Sequence, residues 1–158
     1  MPLSSSDAIA DLLSKFGGFH DACLREAALA TETYVDERRV MACPGHLETS
    51  ALLYFQRQSE DCPAMELRCK GVTQFHLRPT PDNCDSINVG GTVATDGEWL
   101  RLAVCFARAP LTGPPNTFVQ LPDRSLEDPD LEVVAQSMAW RSLNDALGNK
   151  LRYGIEKD

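Results

Sequence analysis

The sequence predicts an α+β domain: a mainly antiparallel, twisted β-sheet, built as a sandwich or a partly open barrel, with a short N-terminal helix packed on it. Apolar residues recur at helical spacing near the N-terminus, over residues 5–16. Beyond them, apolar and polar residues alternate in the runs 47–57, 65–78 and 97–107, the period of a half-buried strand. Pro, Gly and Asp-Gly signals cut the chain between these runs. With 158 residues, 43% of them hydrophobic and 24% charged, the chain fits one domain spanning 1–158. At that size roughly two-thirds of the unfolded surface is buried.

The helix opens on Ser4-x-x-Asp7, a capping-box pattern in which Ser4 or Ser6 accepts from early amides. Ala8, Ile9, Leu12, Leu13 and Phe16 form one apolar stripe. Asp7 and Asp11 lie toward the positive end of the helix dipole and Lys15 toward the negative end. About three turns cannot stand alone in water, so the stripe must pack on the sheet. Gly17-Gly18 ends the helix, since a residue without Cβ adopts the left-handed turn that releases the chain.

The sheet is expected over 19–107. Phe19-His20-Asp21 opens a first strand running to Val35, with Cys23, Ala27 and Leu29 on one face and Ala22, Leu24 and Ala28 on the other, although Arg25 to Ala30 also has helical character. Asp36-Glu37-Arg38-Arg39 reads as a charged turn and Cys43-Pro44-Gly45-His46 as a loop. Leu47 to Gln58 follows as a strand with Leu47, Thr49, Ala51, Leu53 and Phe55 inward. Met65, Leu67 and Cys69 alternate against Glu66, Arg68 and Lys70, and the phase breaks at Gly71-Val72 as at a β-bulge. Outward Arg68, Lys70, His76 and Arg78 form a basic stripe that should pair with acidic neighbours on adjacent strands. Ser86 to Thr95 is a strand weakened by Gly90-Gly91, and Asp96-Gly97 turns it into the strand Trp99 to Ala107. Five of the ten prolines fall at 110, 114, 115, 122 and 129, so 110–130 reads as a long loop. The final strand is 131–141, with Val134, Met138 and Trp140 in step; Ser142 to Gly148 is a helical turn and the tail frays beyond Tyr153.

A net charge of -8 disfavours nucleic acid and anionic membranes as partners and suits a cationic one. Met1 to Asp7 lacks a basic and an apolar signal region, and no run reaches the eighteen or so apolar residues of a membrane span, so a cytoplasmic protein is expected. The six cysteines form no C-x-x-C pair and no zinc spacing, which predicts reduced structural thiols, no metal and no cofactor. His20 and Asp21, as neighbours on a strand, are expected to point to opposite faces and to be structural. An enzyme is the competing reading, with Cys23, Cys43 or Cys62 as nucleophile and His20, His46 or His76 as base, but no local signature surrounds any of them. Cys43 and His46, with Cys62 or Cys84, would be needed for a metal site. Neither a nucleophile elbow nor a phosphate loop is present, so no catalytic residue is assigned.

Phe19-His20-Asp21-Ala22 after a short helix, followed by Met65 to Leu77, resembles over residues 5 to 80 a group of small bacterial proteins whose later strand has the form L-x-L-x-F-x-x-V-x-x-L-x-L, Cys69 standing where the relatives more often place an aromatic. That group includes immunity proteins of polymorphic toxin systems and uncharacterised relatives. The resemblance implies a cytoplasmic protein that binds and neutralises a cognate toxin without catalysis of its own. Beside it, Asp123, Glu127, Asp128, Asp130 and Glu132 stand against the single Arg124 and form the expected acidic contact for a basic protein partner. A structural or interaction domain of another kind is the remaining alternative.

Overall fold

The computed structural model describes residues 1–43, 49–78, 86–87, 90–106, 126–144, 146–148 and 152–153. Among the described residues one α-helix, α1 (Ser6–Lys15), precedes nine strands: β1 (Ala22–Ala30), β2 (Tyr34–Val35), β3 (Met41–Ala42), β4 (Ser50–Arg57), β5 (Ala64–Leu77), β6 (Ser86–Ile87), β7 (Gly90–Asp96), β8 (Trp99–Cys105) and β9 (Leu131–Ser142). Seven strands form one antiparallel sheet in the order β6-β1-β4-β5-β9-β8-β7, and β2 pairs with β3 as a separate hairpin. The α+β architecture is as expected. No described helix is long and apolar enough to cross a membrane.

The order of the strands curls the sheet. Its two edges, β6 and β7, are consecutive in the chain, and Ile87 lies only three Cα steps from Gly90. At 3.8 Å per step those residues stand at most about 11 Å apart. A seven-stranded sheet satisfies that limit only by bending until its edges approach, which makes a partly open barrel whose ladder does not close among the described residues.

The helix is capped by Ser5, between the two expected serines, whose Oγ accepts from Ala8 N at 3.2 Å. It lays Ile9, Leu12 and Phe16 into the core shared by the inner faces of the strands. Phe16, Phe19 and Phe55 meet edge to face, with centroids 5.1–6.3 Å apart. On β4, Ala51, Leu53 and Phe55 are buried as expected, and Leu100, Leu102 and Val104 line the inner face of β8.

Several local expectations are corrected. Gly17, Gly18, Phe19 and Asp21 all have φ near +60°, so the stretch after α1 is a left-handed turn and the first strand starts at Ala22. A register shift between Leu24 and Glu26 puts Ala22, Leu24 and Ala27 against the core together. The break foreseen at Gly71-Val72 appears as a shift between Val72 and Gln74, with Gly71 at φ +63°. At the same level β9 changes phase: Leu131, Val133 and Ala135 face inward and then Met138 and Trp140, so Val134 is out of step with both. Gly97 and Glu98 are the hairpin turn, with Asp96 paired to Trp99 and Gly97 at φ +60°. Where a helical turn is expected over 142–148, Ala146 N donates to Leu143 O at 3.4 Å, and Asp145 lies outside the described residues.

Candidate functional site

The Phe16–Asp21 turn fills the seam where the barrel is open. Asp21 N donates to Ile87 O on β6, and a Cβ on Gly90 of β7 would lie 3.0 Å from Gly18 O. A Cβ on Gly91 would lie 3.1 Å from the Phe19 ring. Gly90-Gly91, which reads in the sequence as a weakness, is the notch that receives this turn. From the other side, Arg57 donates to the carbonyls of His20 (3.3 Å) and Lys15 (3.4 Å).

This turn brings together the two residues that strand alternation would separate. His20 Nδ1 lies 2.9 Å from Asp21 Oδ2, because Asp21 adopts φ +57° and the alternation of a strand does not apply. Asp tolerates that conformation better than most residues. The two side chains are 59% and 54% exposed, so they present an oriented imidazole and carboxylate to solvent. Their main chains do the structural work, since Asp21 O also accepts from Gln58 N.

The acidic segment after the prolines behaves differently from the expected free surface. Asp123 lies outside the described residues, as does most of the proline-rich stretch. Asp128 pairs with Arg78 at 2.7 Å. Asp130 is fully buried, accepts from Phe106 N at 3.0 Å and lies 3.9 Å from Arg78. Glu132 is bound by both Arg101 and Gln74. Glu127 stays exposed at the surface. The sequence count of one Arg against five carboxylates therefore misjudges the local charge, because Arg78 and Arg101 arrive from neighbouring strands. Of the basic stripe, Arg78 finds its acidic partners in the turn that precedes β9 and not, as expected, on an adjacent strand. Asp130 and Glu132 are removed from the expected contact surface by these internal bonds.

Cys43, Cys62 and Cys69 carry free thiols, and Cys84 and His46 lie outside the described residues. No group of three or more potential metal ligands occurs among the described residues. Burial pushes the Cys69 thiol up to about 12. A thiol raised from 9.0 to about 12 favours the fold below pH 9, and that contribution is lost as pH rises toward 12. At pH 8 the native chain should leave Cys69 unalkylated by iodoacetamide while exposed Cys43 reacts, as peptide mapping would read; equal labelling would overturn this burial.

The surface feature the sequence reading missed is the β2–β3 hairpin. Val35 and Met41 stand opposite each other on one face, and Tyr34 and Ala42 on the other. Tyr34, Val35, Val40 and Met41 are 59–64% exposed, and Leu29 at the base is 53% exposed. The tip is firmly built: Asp36 Oδ1 accepts from Arg38 N (2.9 Å) and Val40 N (2.8 Å), and Arg39 takes φ +63°. Tyr-Val and Val-Met flanking a four-residue charged turn was the available signal.

Comparison with protein families, with curated proteins and with solved structures finds no match.

Proposed function

We propose that this chain is a non-catalytic binding protein that holds a basic protein partner, with the β2–β3 hairpin as its anchor. Five large apolar side chains at 53–64% exposure, carried on one hydrogen-bonded projection and its base, support this reading. Such side chains gain when a partner removes them from water, and clustered apolar anchors dominate binding energy. The net charge of -8 supplies the long-range attraction for a cationic partner and speeds encounter. Neutralisation of a toxin, as the resemblance implies, is the particular form this binding takes.

The test is association with the product of the adjacent gene, measured by biolayer interferometry across salt. Tyr34→Ser, Val35→Thr and Met41→Ser together should weaken binding at least ~100-fold, in line with the ~2 kcal/mol or more typical of interface anchors. Added salt should slow association with little effect on dissociation. Unchanged affinity of the triple variant removes the hairpin as anchor, and no association with the unaltered chain removes the partner.

The enzyme alternative has one observation in its favour, the Asp21-oriented imidazole of His20. It ranks second because both side chains lie more than half open to water, which screens the electrostatic interactions a reacting group would use.

A further inference from the structure

The outer face of the sheet carries a second organised set of side chains. Glu26, Tyr54, Glu66 and Arg141 stand opposite one another across β1, β4, β5 and β9. An outward polar row ordinarily lies in water, yet Tyr54 is 1% and Glu66 6% exposed. The chain's own residues 146–148 and 152–153 reach this row. Gln56 Nε2, beside the Tyr54 hydroxyl, donates to Ala146 O and Gly148 O at 3.0 Å each. Arg152 N and Tyr153 N both donate to the Glu26 carboxylate, at 2.6 and 2.9 Å. The Arg152 guanidinium lies over the Tyr54 ring, 5.5 Å from its centroid. Tyr153 OH donates to Glu66 Oε2 at 3.1 Å, while Arg141 holds Oε1.

We infer that this row is a recognition groove for a peptide segment bearing an arginine next to an aromatic residue, and that Arg152 and Tyr153 occupy it in cis as a displaceable stand-in. The groove reads main chain and side chain at once. One carboxylate accepts two successive amides, the tyrosine ring takes a cation on its face, and a second carboxylate accepts a hydroxyl. Among its described residues the occupant is held by these polar contacts, while Arg152 is exposed and Leu147 is 57% exposed. When it withdraws, Glu66 keeps Arg141, whereas the Glu26 carboxylate and the Tyr54 ring lose their cover. What remains favours a cationic segment. Burial and the neighbouring Glu66 charge also hold the Tyr153 phenol well above its ordinary range, so it acts as a donor at neutral pH. This groove is separate from the hairpin and stands whether or not the hairpin holds a partner.

A tethered occupant has an effective concentration in the millimolar range, so a second copy of the same segment binds poorly until the tethered one is weakened. The probe is a fluorescein-labelled synthetic peptide of this chain's residues 146–158, titrated against the full chain by fluorescence anisotropy. Arg152→Ala with Tyr153→Ala in the protein should bind the peptide at least ~10-fold tighter than the unaltered chain. Adding Glu26→Gln to that protein should abolish the gain. Arg152→Ala alone, at an exposed position, guards against loss of folding and should give a smaller gain of about threefold. Equal affinity for the unaltered and altered chains, retention of the gain with Glu26→Gln, or binding to neither would each overturn the groove.

Discussion

Phe19→Ala should lower the stability of the fold by about 3–5 kcal/mol, the range for removing a fully buried aromatic. Phe19 has no exposed surface and packs edge to face on Phe16 and Phe55, at centroid distances of 5.4 and 5.1 Å. Its ring also sits in the notch left by Gly91. Losing it opens a cavity where α1, the seam turn and β4 meet, and two glycines that suit the bulky ring leave nothing to fill it. The residue also takes φ +64°, a conformation that costs an L side chain roughly 1–2 kcal/mol. Phe19→Gly should therefore be no less stable than Phe19→Ala despite its smaller side chain. Urea unfolding followed by tryptophan fluorescence reads both. A loss below about 1 kcal/mol for the alanine variant would show that the ring is not packed in the seam.

The second large effect is expected at Asp130. Asp130→Ala leaves the Phe106 amide without its acceptor in a buried place and takes a carboxylate away from Arg78. An orphaned buried donor costs about 1–3 kcal/mol. Asp128→Ala removes a carboxylate 69% exposed, whose pairing with Arg78 is screened by solvent and should shift the midpoint little. Denaturant midpoints of the two variants separate a structural role from a surface one. If Asp128→Ala proved as damaging as Asp130→Ala, the assignment of Asp130 to the fold would be wrong. The result bears on function, because a carboxylate committed to a buried amide is not available to a partner.

These two sites show where sequence reading reaches and where it stops. The periodicity of α1, the inward residues of β4 and β8 and the turn after Asp96 depend on residues a few places apart. Their chemistry is therefore visible in a short window. The acidic segment looked unbalanced because only its sequence neighbours were counted. Arg78 and Arg101 reach it through pairings of β5 with β9 and β8 with β9, across 31 to 50 residues of chain. His20 and Asp21 failed for a different reason: the left-handed run after α1 continues to Asp21 and replaces strand alternation with a turn. Gly17-Gly18 signalled that turn but not how far it extends.

By itself, then, the sequence determined a short amphipathic helix followed by alternating strands, hence an α+β fold with an antiparallel sheet, because amphipathic period and turn chemistry are local properties. Only the tertiary structure decided that β6 and β7 take opposite edges of one curling sheet, that Gly90-Gly91 receives the Phe19 turn, and that Arg152 and Tyr153 lie on Glu26, Tyr54 and Glu66. It also decided that Tyr34, Val35, Val40 and Met41 stay outside the core. Such choices depend on which distant strands share a register and on what remains uncovered once they do. Each residue carries the capacity for a contact, and the closure of the whole chain selects the one that forms.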